Sequence, residues 1–142
     1  MMFAIGAMFA LTPAALAEQV DSNAPAADSA EMAEMRARVA AVQAHVDAYR
    51  SGNLDRFVAT FTPDAEVHAN GMVAVGREQI RALYAANFAP GAPSIRIDDS
   101  GVNGQFVYLS VGYIFADGQE MCCSYSEYEV SGGKIAYLAT SG

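Results

Sequence analysis

The sequence predicts an α+β domain in which three N-terminal helices cover a curved, mostly antiparallel sheet and enclose a cone. Three observations carry this. Apolar residues recur at helical spacing only in the first part of the chain, up to about residue 88. Beyond it, apolar and polar residues alternate, with turn dipeptides at Asn103-Gly104, Asp117-Gly118 and Gly132-Gly133. Helices grouped ahead of a strand meander exclude a doubly wound sheet, in which the two would alternate.

Residues 1–17, MMFAIGAMFALTPAALA, carry no charge. Their apolar run from Met2 to Leu11 meets Thr12-Pro13 and then Ala15-Leu16-Ala17, a small-residue cleavage pattern before Glu18. This reads as a secretory signal peptide cut after Ala17, too short and too broken by Pro13 to span a bilayer. The expected product is exported, periplasmic or secreted, with no membrane attachment after cleavage. Residues 18–28, EQVDSNAPAAD, lack apolar periodicity and read as a flexible spacer. The folded domain is then 29–142.

Met32, Met35, Val39, Val42, Val46 and Tyr49 form a helical stripe, opened by a capping box of Asp28 and Glu31 and closed by Ser51-Gly52. Asn53 caps a second, short helix with Leu54, Phe57, Val58 and Phe61 on its apolar face, stopped at Thr62-Pro63-Asp64. Residues 65–69 read as a strand and Asn70-Gly71 as a turn. A third helix runs from about Arg77 to Phe88, with Ile80, Leu83 and Tyr84 on one face, until Pro90-Gly91-Ala92-Pro93 breaks it. Four strands follow, near 94–101, 105–116, 119–130 and 134–140, joined by the tight turns. A meander of this kind needs one face covered, and the helices supply the cover. The open end of the cone is a natural small-molecule pocket.

Charge narrows the partners. Across 142 residues, 8 Lys+Arg stand against 16 Asp+Glu, a net charge of −8. Nothing here neutralises a phosphate backbone or an anionic membrane surface. No metal-ligand spacing, nucleophile elbow or phosphate-binding glycine loop is present, and no cofactor is indicated.

His45 lies beside the helical stripe, either as a proton donor or acceptor inside the cone or as a buried histidine satisfied by a neighbour. Strand parity turns His68 outward. It puts Leu109, Val111 and Tyr113 on one face with Tyr108 on the other, and it groups Glu120, Cys122, Ser124 and Ser126. Adjacent residues on a strand point to opposite faces, so a Cys122–Cys123 disulfide is not expected. The two cysteines read as buried and inert, or as the source of an intermolecular bridge through the outward one.

The segments Val42-Gln43-Ala44-His45-Val46, Ser51-Gly52-Asn53-Leu54-Asp55, Phe61-Thr62-Pro63-Asp64-Ala65-Glu66-Val67 and Gly76-Arg77-Glu78-Gln79-Ile80-Arg81 together resemble the nuclear transport factor 2-like superfamily. The branch is the SnoaL-like one, and steroid delta-isomerases belong to the same superfamily. The resemblance covers about residues 36–142. It implies a cone-shaped (cystatin-like) α+β roll, often a homodimer through the sheet, whose catalytic members mostly work without a cofactor. In the isomerases an aspartate base works with an oxyanion hole of a tyrosine and a protonated aspartic acid. Aligned by turns and helix ends, those positions hold Ala69, His45 and Ser126, so all three are changed. Tyr84 matches a third-helix tyrosine, and the resemblance implies a His45–Tyr84 hydrogen bond. Leu83, Val111 and Tyr113 match pocket walls; Tyr49, Phe61, Val67, Leu109, Ala69 and Ser126 complete the expected lining.

Three functions follow as expectations. One is a pocket for a small apolar ligand, without established catalysis. Another is a cofactor-independent isomerase, lyase or cyclase with His45 and Tyr84 as the catalytic pair, Glu120 assisting only if its strand end curls inward. The third is an association module whose convex sheet face carries Met121, Cys123 and Tyr125.

Overall fold

The computed structural model describes residues 29–142 of the chain. The leader, the spacer and the capping residue Asp28 lie outside the described residues. Ala37–Gly142 is one compact unit, and it holds every element that shapes the site. Residues 29–36 belong to the other unit; they are helical and exposed, so Met32 and Met35 of the predicted stripe are not core residues.

Helix α1 spans 29–50. Inside the compact unit it buries Ala41, Val42, His45, Val46 and Ala48, the spacing that one helical face requires. Helix α2 (Leu54–Val58) starts at Asn53, whose side chain accepts a hydrogen bond from the Arg56 N–H at 3.0 Å. Helix α3 (Arg77–Tyr84) continues as a 3₁₀ turn over Ala85–Phe88. The three helices are those predicted.

The sheet has six strands where five were expected. They are β1 (Phe61–Ala69), β2 (Met72–Val75), β3 (Ser94–Asn103), β4 (Phe106–Ile114), β5 (Glu120–Ser131) and β6 (Lys134–Ser141), in the spatial order β2-β1-β6-β5-β4-β3. All neighbours are antiparallel except β1 and β6, which run parallel. Two boundaries differ from the sequence reading. Phe61 does not extend α2; it opens β1 and is fully buried. Pro63 sits within β1 where the register with β6 shifts between Phe61 and Glu66, a break that tolerates a residue with no N–H. The added strand β2 returns from β1 through Asn70-Gly71, whose φ values of 55° and 74° make the turn a hairpin.

Phe57, Phe61, Val67, Ile80, Ile135 and Leu138 are the largest fully buried side chains, and with their neighbours they form one core cluster. Arg77 ties helix to sheet by donating from Nε and Nη2 to the Phe61 carbonyl. No helix among the described residues is long and apolar enough to cross a membrane.

Candidate functional site

A cavity of about 580 Å³ opens between the helices and the concave sheet face, within the range of small-molecule sites. Its buried end is formed by His45, Phe57, Leu109, Val111, Ser124, Ser126, Tyr128 and Leu138. Exposed Met121, Cys122 and Cys123 lie on its rim. Tyr49, Leu83, Tyr84, Tyr113 and Ala69 line the walls between. Of the predicted lining residues, Phe61 and Val67 are excluded: both are fully buried in the core and do not reach the cavity. Val67 and Ala69 share one face of β1; position along the strand separates them, with Ala69 at the strand's end reaching the cavity and Val67 packed in the core cluster.

His45 is 4% exposed and packed edge-on against Phe61 and Tyr128, with Phe57 tilted at a 4.8 Å centroid distance. Its Nδ1 lies 2.9 Å from Thr60 Oγ1, and Thr60 Oγ1 donates to the Phe57 carbonyl at 2.6 Å. The expected His45–Tyr84 bond is not formed among the described residues. Phe57 touches both rings instead, at 4.8 and 4.9 Å. Burial holds the His45 imidazolium down at about 3. Burial likewise raises Tyr84 and Tyr128 above the ordinary tyrosine value, and raises Tyr49, which accepts from Asn87 Nδ2 at 3.3 Å. Neutral imidazole and neutral phenols are therefore the forms that face the cavity at physiological pH.

The remaining polar groups are paired hydroxyls. Tyr113 and Ser124 share a hydrogen bond at 2.8 Å, and Ser126 donates to Thr140 at 3.0 Å. Ser124 follows from strand parity with Ser126; Thr140 had no such signal, because it reaches the site by cross-strand pairing with Ser126. Glu120 does not curl inward. It is exposed and bonded to Arg96, which also binds Asp98.

The rim departs most from the sequence reading. Cys122 and Cys123 are exposed, not buried, and are joined to each other as a disulfide. The alternation argument fails there because the strand is irregular. Val111 pairs with Ser124 and Tyr113 with Met121, so β5 carries one extra residue at the cysteines. That bulge reverses parity, and Met121 shares the cavity side with Tyr113 instead of the convex face. Tyr125 stays on the convex face, stacked on Tyr108 at 5.8 Å. His68 is a surface residue, as parity predicted, bonded to Glu66 at 2.5 Å.

The profile of the SnoaL-like domain family matches residues 42–138, spanning α1 from before His45 to the middle of β6. The chain belongs to the SnoaL-like domain family. Among solved structures, this SnoaL-like domain is similar to a Sinorhizobium meliloti protein assigned as a polyketide cyclase, with 22% identity, 71% of this chain and 93% of the other covered, and a TM-score of 0.63. It is also similar to a Catenulispora acidiphila protein of ketosteroid isomerase-like fold, in complex with trimethylamine, at 19% identity, 72% and 84% coverage and a TM-score of 0.60. The epoxide hydrolase/cyclase-like enzyme SalBIII of pyran ring formation in salinomycin matches at 16% identity, 75% and 90% coverage and a TM-score of 0.65. At these identities the likeness is one of fold. No curated protein matches the chain.

Proposed function

We propose that this SnoaL-like domain holds a small, neutral, apolar molecule in its cavity and performs no proton-transfer chemistry on it. The lining is the observation that supports this. No Asp, Glu, Lys or Arg side chain is among the residues facing the cavity, so a charged ligand would be desolvated there without a partner. The structural relative holding trimethylamine accords with a small-molecule site in this fold. The open cavity argues against a filled cone, and hence against association as the main role.

An isomerase, lyase or cyclase is the second reading, supported by one ring nitrogen of His45 that carries no protein partner among the described residues. Against it, an imidazole whose conjugate acid lies at about 3 is a weak base. The aligned isomerase positions also contain no carboxylate.

Nile red, a neutral dye without hydrogen-bond donors, is the test. Its fluorescence should rise on binding the purified domain and stay low with Val111→Trp, which fills the cavity from β4. Equal enhancement in both proteins would mean surface binding and would remove the proposal. Turnover across a ketosteroid and epoxide panel, lost in His45→Ala, would establish the enzymatic reading in its place.

Two further parts of the proposal rest on sequence and exposure. Residues 1–17 direct export to the periplasm or medium, checked by finding Glu18 as the N-terminus of the exported protein. A homodimer forms through the sheet, where Tyr125, Met72 and Val73 are exposed; light scattering on the eluting protein reads its mass.

A further inference from the structure

We infer that the molecule held in this cavity carries a hydrogen-bond donor, a hydroxyl or an N–H, and gives it to Nε2 of His45. The inference rests on the ligand-binding reading above and adds the chemical class of the ligand.

It follows from counting protons along one relay. Thr60 is held at the junction of α2 and β1: its N–H donates to the Phe57 carbonyl at 3.0 Å, and its own carbonyl accepts from Ile135 N–H at 2.9 Å. Its hydroxyl lies 2.6 Å from the same Phe57 carbonyl. A carbonyl oxygen only accepts, so the single hydroxyl proton of Thr60 points there. Thr60 Oγ1 then has only lone pairs to offer His45 Nδ1 at 2.9 Å. Nδ1 must carry the hydrogen. A neutral imidazole has one N–H, so Nε2 carries a lone pair. The ring is neutral because burial opposes its charge.

That lone pair is unspent. Among the described residues, Nε2 has no hydrogen-bond partner, and Thr62 Oγ1 is the one sealed side-chain polar atom left unpaired. Nε2 is therefore not sealed in the core; it opens to the cavity that His45 lines. The other polar groups at the buried end are hydroxyls, among them the pairs Tyr113–Ser124 and Ser126–Thr140, and a hydroxyl can turn its proton and exchange donor and acceptor roles with its partner. Nε2 has no such freedom and only accepts. A ligand with only carbonyl or ether oxygens would set a lone pair against it; an alcohol or phenol would satisfy it. This reverses the polarity of an oxyanion hole, which needs donors at the same place.

The experiment compares 2-naphthol with 2-methoxynaphthalene as competitors of Nile red, with ¹⁵N spectra of the histidine rings alongside. We expect 2-naphthol to compete about tenfold more strongly, the weight of one net hydrogen bond. Thr60→Val, which frees Nδ1 and lets the proton move to Nε2, should shrink that preference. In the unliganded protein the Nε2 resonance should be that of an unprotonated nitrogen, and it should shift on adding 2-naphthol. Equal competition by the two compounds, or a protonated Nε2 in the free protein, would overturn the inference while leaving the ligand-binding reading intact. Failure of both compounds, together with failure of Nile red to bind, would remove that reading and this one with it.

Discussion

At His45, burial and hydrogen bonding act on opposite sides of one ring. The Thr60 hydroxyl satisfies Nδ1, and the apolar surroundings keep the ring from taking a second proton. The histidine takes its proton at about 3 in the folded state, against 6.5 when unperturbed. The unfolded chain takes up that proton as pH falls through about 6.5, and the folded chain does not until about 3. Stability is therefore full above about 6.5 and declines toward acid, by up to about 1.4 kcal/mol per pH unit from this residue. His45→Phe keeps a ring and has nothing to protonate, so urea unfolding between about pH 4 and pH 7 should show a shallower acid decline in the variant. An unchanged decline would place the acid sensitivity elsewhere. Phe57 is the other telling residue: it is 1% exposed and touches the rings of His45, Tyr49, Phe61, Tyr84 and Phe88. Phe57→Ala should cost about 3–5 kcal/mol in denaturant unfolding. Because the ring also walls the cavity, Nile red binding should weaken with it.

Among the elements, α2 is the shortest helix and depends most on its cap. Five residues cannot hold a helix by propensity, so Asn53→Ala, which removes the bond to Arg56 N–H, should cost about 1 kcal/mol by urea titration. The elements that sequence reading found are those with a strong period: α1 through Val42 and Val46, and β3 to β6 through their alternation and Gly-containing turns. It missed β2 because Met72-Val73-Ala74-Val75 is four apolar residues with no alternation, of which only Ala74 is buried. It misassigned Phe61 because a buried aromatic four residues after Phe57 fits a helix face as well as a strand start. Parity along β4 located Leu109, Val111 and Tyr113 correctly, since β4 is regular there. Parity along β5 failed at Cys122 and Cys123, where the extra residue is invisible in a local pattern. The disulfide there has a direct check: neither thiol should react with iodoacetamide until reductant is added, and alkylation without reductant would show free cysteines. Thr60 carried no signal at all. A lone threonine between a short helix and a strand gains meaning only once His45 is seen beside it.

For the whole molecule, the SnoaL-like assignment was legible because four short segments keep their order and spacing. The identity of a ligand was not, because it depends on which atoms of distant segments converge. The parallel pairing of β1 with β6 was equally hidden, since no local turn joins them. That pairing has a temporal consequence. The strand nearest the middle of the sheet on the β1 side, Lys134–Ser141, is the last of the six to be synthesised. Until it leaves the ribosome no strand is present to bridge the β1–β2 segment to the β3–β5 segment. An arrest-peptide assay should therefore register folding force only once β6 has cleared the exit tunnel, and force at shorter chain lengths would contradict this. A nascent chain that stays open until its final strand arrives also stays threadable, the state that a transport channel for unfolded polypeptides needs.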